Sequence, residues 1–193
     1  MSLMGEADNE RAHAARLPEG SVIAVLLAQH ARIRESFAAV QVAPPEQRQE
    51  PFDRLRERLA VHEAGEEIVV RPISRESAGS QITDARNHEE SEAAKMLAEL
   101  EGMDVAGEQF GAKLNELAKS VSEHAEREET EEFPAVQNAR SEQELVALGE
   151  KLLKAERPAP THPHPAAAGS TVAQRVLGPF AAMLDRARDA YRS

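Results

Sequence analysis

Apolar side chains recur along this chain at the three- and four-residue spacing of amphipathic helices, and proline or glycine clusters separate the recurring stretches. The segment Leu17-Pro18-Glu19-Gly20-Ser21 reads as a helix entry, and Val22, Leu26, Ile33 and Phe37 then form one stripe before Ala43-Pro44-Pro45 closes it. Phe52, Leu55, Leu59 and Val69 mark a second stripe that ends at Pro72. A third helix is expected from about Thr83 to Gly102, with Ala85, Met96, Leu97 and Leu100 as its modest apolar content. A fourth runs from about Val105 to Val136, with Phe110, Leu114, Leu117, Val121 and Phe133 on one broad face. Ser141-Glu142-Gln143-Glu144 then opens a shorter helix in the pattern of a capping box. Beyond it come a Pro-rich linker, RPAPTHPHPAAAGST, and a tail with Phe180, Met183, Leu184 and Ala187 on one face of a terminal helix. The pattern therefore predicts an all-α chain: a four-helix bundle over residues 17–137, followed by a helical extension over 138–193.

Polar residues interrupt these stripes in a repeated way. His62, Glu66 and Pro72 in the second stripe recur as His124, Glu128 and Pro134 in the fourth, each copy reading H-x3-E-x5-P. A histidine and a glutamate four positions apart project from one helix face with Cβ atoms about 5–6 Å apart, so each pair can reach one metal ion. Each copy follows a single histidine in the preceding helix, His30 in the first and His88 in the third. His30 lies four after Leu26 and three before Ile33, which turns it inward. One ligand set per helix across four helices is the logic of carboxylate-bearing bundles that hold paired metals. Imidazole and carboxylate suit iron, zinc or manganese. In this reading His30 and His62 share one metal and His88 and His124 the other, with Glu66 and Glu128 bridging. Burying two glutamates without partners is costly, and coordination removes that cost. His13 falls in a frayed terminus, and His162 and His164 belong to linker composition.

The chain has 193 residues, enough for one domain with an appendage. It has no cysteine, which excludes disulfides, thiolate metal sites and a cysteine nucleophile. A formal charge of −11 opposes nucleic acid and anionic membranes as partners. No apolar run approaches the roughly 20 residues of a membrane span, and the opening segment lacks a signal-peptide core. The expectation is a cytoplasmic protein.

At QHARIRES around His30, HEAGEEIVVRPIS from His62, NHEESEAAKMLAEL around His88 and HAEREETEEFPAV from His124, the chain resembles haemerythrin-like proteins with an HHE cation-binding domain. The resemblance spans about Ser21 to Val136, and the linker and tail are similar to those of actinobacterial members. It implies an up-down-up-down bundle with two iron ions, oxo- or hydroxo-bridged, on His30, His62, Glu66, His88, His124 and Glu128. Some members also use the glutamate directly after the second-helix histidine, here Glu63. Oxygen-carrying members have a further histidine four after the first one of the third helix. Glu92 stands there in this chain, as a carboxylate ligand or a solvent-facing residue, and reversible oxygen carriage is in doubt. The implied activities are binding of, or reaction with, a small oxidant (oxygen, peroxide or nitric oxide), including catalase-like peroxide decomposition. The alternatives are iron sensing or storage without turnover, and a structural metal-binding bundle. A homo-oligomer is the one macromolecular partner this reading allows.

Overall fold

A computed structural model describes residues 2–156. Among them there is no strand. The core consists of α2 (Val22–Val42), α3 (Gln49–Gly65) continued by α4 (Arg71–Ser77), α5 (Ser80–Glu101), and α6 (Glu108–Arg127) continued by α7 (Phe133–Ala139). Before it stands α1 (Leu3–Ala14) and after it α8 (Glu142–Ala155). The linker and terminal helix expected after residue 156 lie outside the described residues. No helix among those described is long and apolar enough to cross a membrane.

The two prolines of the repeat do not stop their helices. A proline inside a helix lacks the N–H for one backbone bond, and its ring crowds the carbonyl four residues earlier. Both helices meet this with a wider turn whose bonds span five residues, at Glu66–Val70 and Glu128–Glu132. The N–H of Arg71 donates to the carbonyl of Glu66, and that of Phe133 to Glu128. The expected end at Pro72 is thus corrected: the chain stays helical to Ser77. In each copy the wide turn starts at the glutamate of the H-x3-E pair.

Two apolar clusters fill the bundle. One holds Phe37, Phe52, Leu55, Leu97, Leu100, Phe110, Leu114 and Leu117. The other holds Ile23, Leu26, Leu27, Val70, Phe133, Val136, Leu145 and Leu152. Along α2, His30 follows Leu26 and Leu27 of the second cluster and precedes Ile33 and Phe37 of the first, so the polar layer sits between two dry ends. The expectation of a frayed N-terminus is also corrected. Ser2 caps α1, and α1 packs along α2, with Glu6 and Glu10 both bonded to the buried guanidinium of Arg34.

The capping box at Ser141 is present, with Glu144 returning to the Ser141 N–H. From there α8 lays Leu145 and Leu152 into the second cluster against α2. Gly149 makes the approach close, because a Cβ there would stand 2.0 Å from the carbonyl oxygen of Gly20, whose own φ of +75° favours glycine. Backbone cannot move aside as a flexible side chain would. Gly149→Ala is expected to lower stability by about 1–3 kcal/mol, read as a fall in melting temperature with the helical spectrum retained.

Candidate metal centre

Three histidines converge from three helices. His30 on α2, His62 on α3 and His124 on α6 are all buried, and the His30 and His62 rings stand edge to face at 5.0 Å. Each ring has its Nδ1 held from outside the cluster. Nδ1 of His30 pairs with Glu129 at 2.8 Å, that of His62 with the Gln29 Oε1 at 2.8 Å, and that of His124 with Glu89 at 3.0 Å. An acceptor on Nδ1 fixes the proton there and leaves Nε2 free on the inner side, as is usual for metal-binding histidines. Gln29 is itself anchored through its amide to Glu156 of the α8 end. Sequence reasoning missed Gln29, Glu89 and Glu129. The signal was present for Gln29, which directly precedes His30, whereas Glu89 and Glu129 are lost in runs of acids.

Carboxylates supply the remaining inward atoms. Glu63, Glu66, Glu90 and Glu128 are buried, and Glu66 and Glu128 are fully so. Besides a smaller set of Glu10, His30 and Glu129, the ligand-type atoms form two groups of four, His30 with His62, Glu66 and Glu128, and Glu63 with Glu66, Glu90 and His124. Glu66 belongs to both. Within these groups the His30 Nε2 lies 3.4 Å from Glu128 Oε2, the His62 Nε2 3.8 Å from Glu66 Oε2, and the His124 Nε2 4.0 Å from Glu90 Oε1. Two atoms bound to one ion at about 2.0–2.2 Å each stand at most about 4.4 Å apart, so all three separations fit a shared ion. Within these two groups five buried atoms have no hydrogen-bond partner: Nε2 of His30 and His124, Oε2 of Glu63 and Glu128, and Oε1 of Glu66. Buried polar atoms are ordinarily paired, and this group of orphans facing one another is the donor set a cation satisfies.

His88 is not among them. It is exposed on α5, and the buried positions of that helix are Thr83, Arg86, Glu90, Leu97 and Leu100. Glu90 lies seven residues before Leu97, two turns along the core-facing stripe, whereas His88 is two residues from Glu90 and about 200° around the helix. The expected pairing of His88 with His124 is therefore corrected in placement, and Glu90 approaches His124 instead. Glu92 is exposed and bonds Lys95. Glu63, named as an additional candidate, is inside the cluster.

Without a cation the cluster distributes protons unevenly. Burial pushes the Glu66 carboxyl well above the ordinary range, and the neighbouring Glu128 charge adds to it. Burial and Glu63 likewise carry Glu90 up to about 9, with Arg71 and His124 opposing. Burial also opposes charge on Glu128, but His124, His30 and Arg71 overcome it and hold that carboxyl well below its usual value. His30 is raised to about 9 because Glu128 and Glu129 outweigh the effect of burial, whereas burial and the nearby His30 push His62 down. A guanidinium also enters the cluster. Arg71, at the end of the first wide turn, bonds Glu132 through Nη1 and reaches Glu66, Glu90 and Glu128 through Nη2.

Fold and site together define a helical bundle built around a buried histidine and carboxylate layer of cation-binding type. The haemerythrin HHE cation-binding domain matches residues 21–136, and the chain belongs to that family. An uncharacterised haemerythrin-like protein of Schizosaccharomyces pombe is 31% identical over 134 residues, covering 68% of this chain and 66% of that protein. A DNA nickase of a Nostoc species is 27% identical over 115 residues, covering 59% of this chain and 33% of that one. The chain thus spans 66% and 33% of these two relatives. The crystal structure of a haemerythrin HHE cation-binding domain-containing protein from Mycobacterium kansasii matches with a TM-score of 0.64 and 22% identity, over 84% of this chain and 96% of that one. At that identity the match speaks for the fold.

Proposed function

We propose that the protein holds a non-haem di-iron centre and binds or reacts with a small oxidant. One ion would sit on His30, His62, Glu66 and Glu128, the other on Glu63, Glu66, Glu90 and His124. The observation that carries this reading is the sharing of Glu66 by two buried donor groups, since a carboxylate bridge is what places two ions side by side. Iron bound there would supply electrons and an open coordination position for oxygen, peroxide or nitric oxide. The surrounding residues do the rest. Glu129, Gln29 and Glu89 orient the imidazoles, and the two apolar clusters keep water from the layer.

Room for a ligand is small and partly apolar. A cavity of about 10 Å³ lies among His30, His62, His124, Ile33, Phe37 and Val121, space for about one water-sized molecule. A second, of about 20 Å³, lies among Glu63, Glu90, Leu59, Ala93, Leu97 and Val121. Val121 and Glu63 line both. This arrangement favours diatomic molecules and peroxide over larger substrates. Cytoplasmic placement and a homo-oligomer remain part of the proposal. The Nostoc relative acts on DNA by its name, but two thirds of that protein are unmatched here and the charge of −11 opposes a polyanion.

The test loads ferrous iron anaerobically, then adds peroxide, oxygen or nitric oxide in turn while visible absorption and oxygen release are recorded. New absorption with at least one of them is expected, and zinc-loaded protein should stay silent. Val121→Phe, which fills both cavities, is expected to keep its iron and to slow the reaction by at least roughly tenfold. Iron-loaded protein inert to all three oxidants would leave storage or a structural metal as the function. Equal rates for Val121→Phe and the native chain would place the ligand route elsewhere.

A further inference from the structure

Arg71 directly precedes the proline of the first repeat copy, is 4% exposed and lies among acids. The wide turn puts it there. Bonds spanning five residues stack Arg71 over Glu66, so its side chain follows that glutamate into the bundle. Nη1 contacts both oxygens of Glu132 at 2.9 Å. Nη2 lies 3.2 Å from Glu128 and 3.4 Å from Glu66, and also bonds Glu90. The contacted groups come from both wide turns and from α5.

Charge balance gives this contact its meaning. Five carboxylates are buried in the layer, on Glu63, Glu66, Glu90, Glu128 and Glu132. Glu132 is fully buried but belongs to neither donor group. A guanidinium keeps its charge at any pH a protein experiences. Paired with Glu132, it leaves four carboxylates, and two divalent ions carry four positive charges. Without Arg71 the layer would hold one negative charge more than two divalent ions supply, and that excess would favour the ferric state.

We propose that Arg71 is a resident third cation of the centre, a positioning residue that cancels Glu132, matches the remaining carboxylates to two divalent ions and so biases the pair toward the ferrous state. This rests on the di-iron reading given above. It concerns the charge of the layer and assigns Arg71 no contact with the oxidant.

A charge cycle tests it, with iron content, the midpoint potential of the iron-loaded protein and the melting temperature of the metal-free protein read on each variant. Arg71→Met is expected to lower the midpoint by at least a tenfold shift in the ferric-to-ferrous ratio, 59 mV for one electron. Glu132→Gln removes a negative charge and is expected to shift it upward. The double variant restores the net charge and should return the midpoint to near the native value, with a metal-free melting temperature above that of Arg71→Met. If Arg71→Met does not fold, the rise in Glu132→Gln and the return in the double variant still decide. Iron-loaded variants whose midpoints do not move, or a double variant shifted as far as a single one, would overturn the role of Arg71 and leave the di-iron reading standing. Native protein that takes up no iron would instead overturn that reading, and the charge match with it.

Discussion

Glu66→Ala is expected to reduce iron uptake from about two ions per chain to fewer than one, because that carboxylate belongs to both donor groups. On the di-iron proposal its loss would remove a ligand from each ion and the link between them. His88→Ala, by contrast, should leave uptake unchanged, since the side chain is exposed on the far face of α5. Glu90→Ala should weaken the second position and spare the first. Elemental analysis after anaerobic ferrous loading reads all three. Equal losses in Glu66→Ala and His88→Ala would mean that the iron is held outside the four-helix layer.

The metal-free protein should lose stability as pH rises from about 6.5 to 9. In that window the folded chain holds protons that the unfolded chain releases. His30, raised to about 9, and His124, also raised, stay protonated in the fold while an ordinary histidine has titrated. Glu66 and Glu90 likewise keep protons long after an ordinary carboxyl has lost its own. A folded state that binds more protons than the unfolded one loses stability with rising pH. The lowered groups, His62 and Glu128, act in the opposite sense only below about 6.5 and so do not offset the fall. A fall in melting temperature of roughly 5–10 °C across the window is expected. Bound divalent ions replace the retained protons, and their affinity grows as the ligands deprotonate, so the loaded protein should show a flat or rising profile. A metal-free protein with a flat melting profile from pH 6.5 to 9 would contradict the proton distribution described for the cluster.

The two H-x3-E pairs could be read from the sequence because a helix places positions four apart on one face whatever surrounds them. His30 was legible for the same reason, with strong apolar residues on either side. The third helix misled. Its apolar residues are few, and His88 occupies a position that the stripe through Leu97 and Leu100 places outside. Counting back seven from Leu97 finds Glu90, which a run of acids conceals. Arg71 was beyond reach for a different reason. The inward direction of Arg71 depends on the wide turn ahead of Pro72, since regular spacing places a residue five after Glu66 about 140° around the helix, whereas Glu132 lies four after Glu128 and is concealed by the run of acids around it. The matched prolines were visible in the repeat, but the pattern marks Pro72 as a helix stop rather than as the cause of a bulge.

The measurement that bears most directly on the central claim is anomalous diffraction at the iron edge from crystals of the ferrous-loaded protein. Two peaks about 3.5–4 Å apart, with Glu66 between them, His30 and His62 beside one and His124 and Glu90 beside the other, are the predicted result. A single peak, or none among these residues, would contradict it.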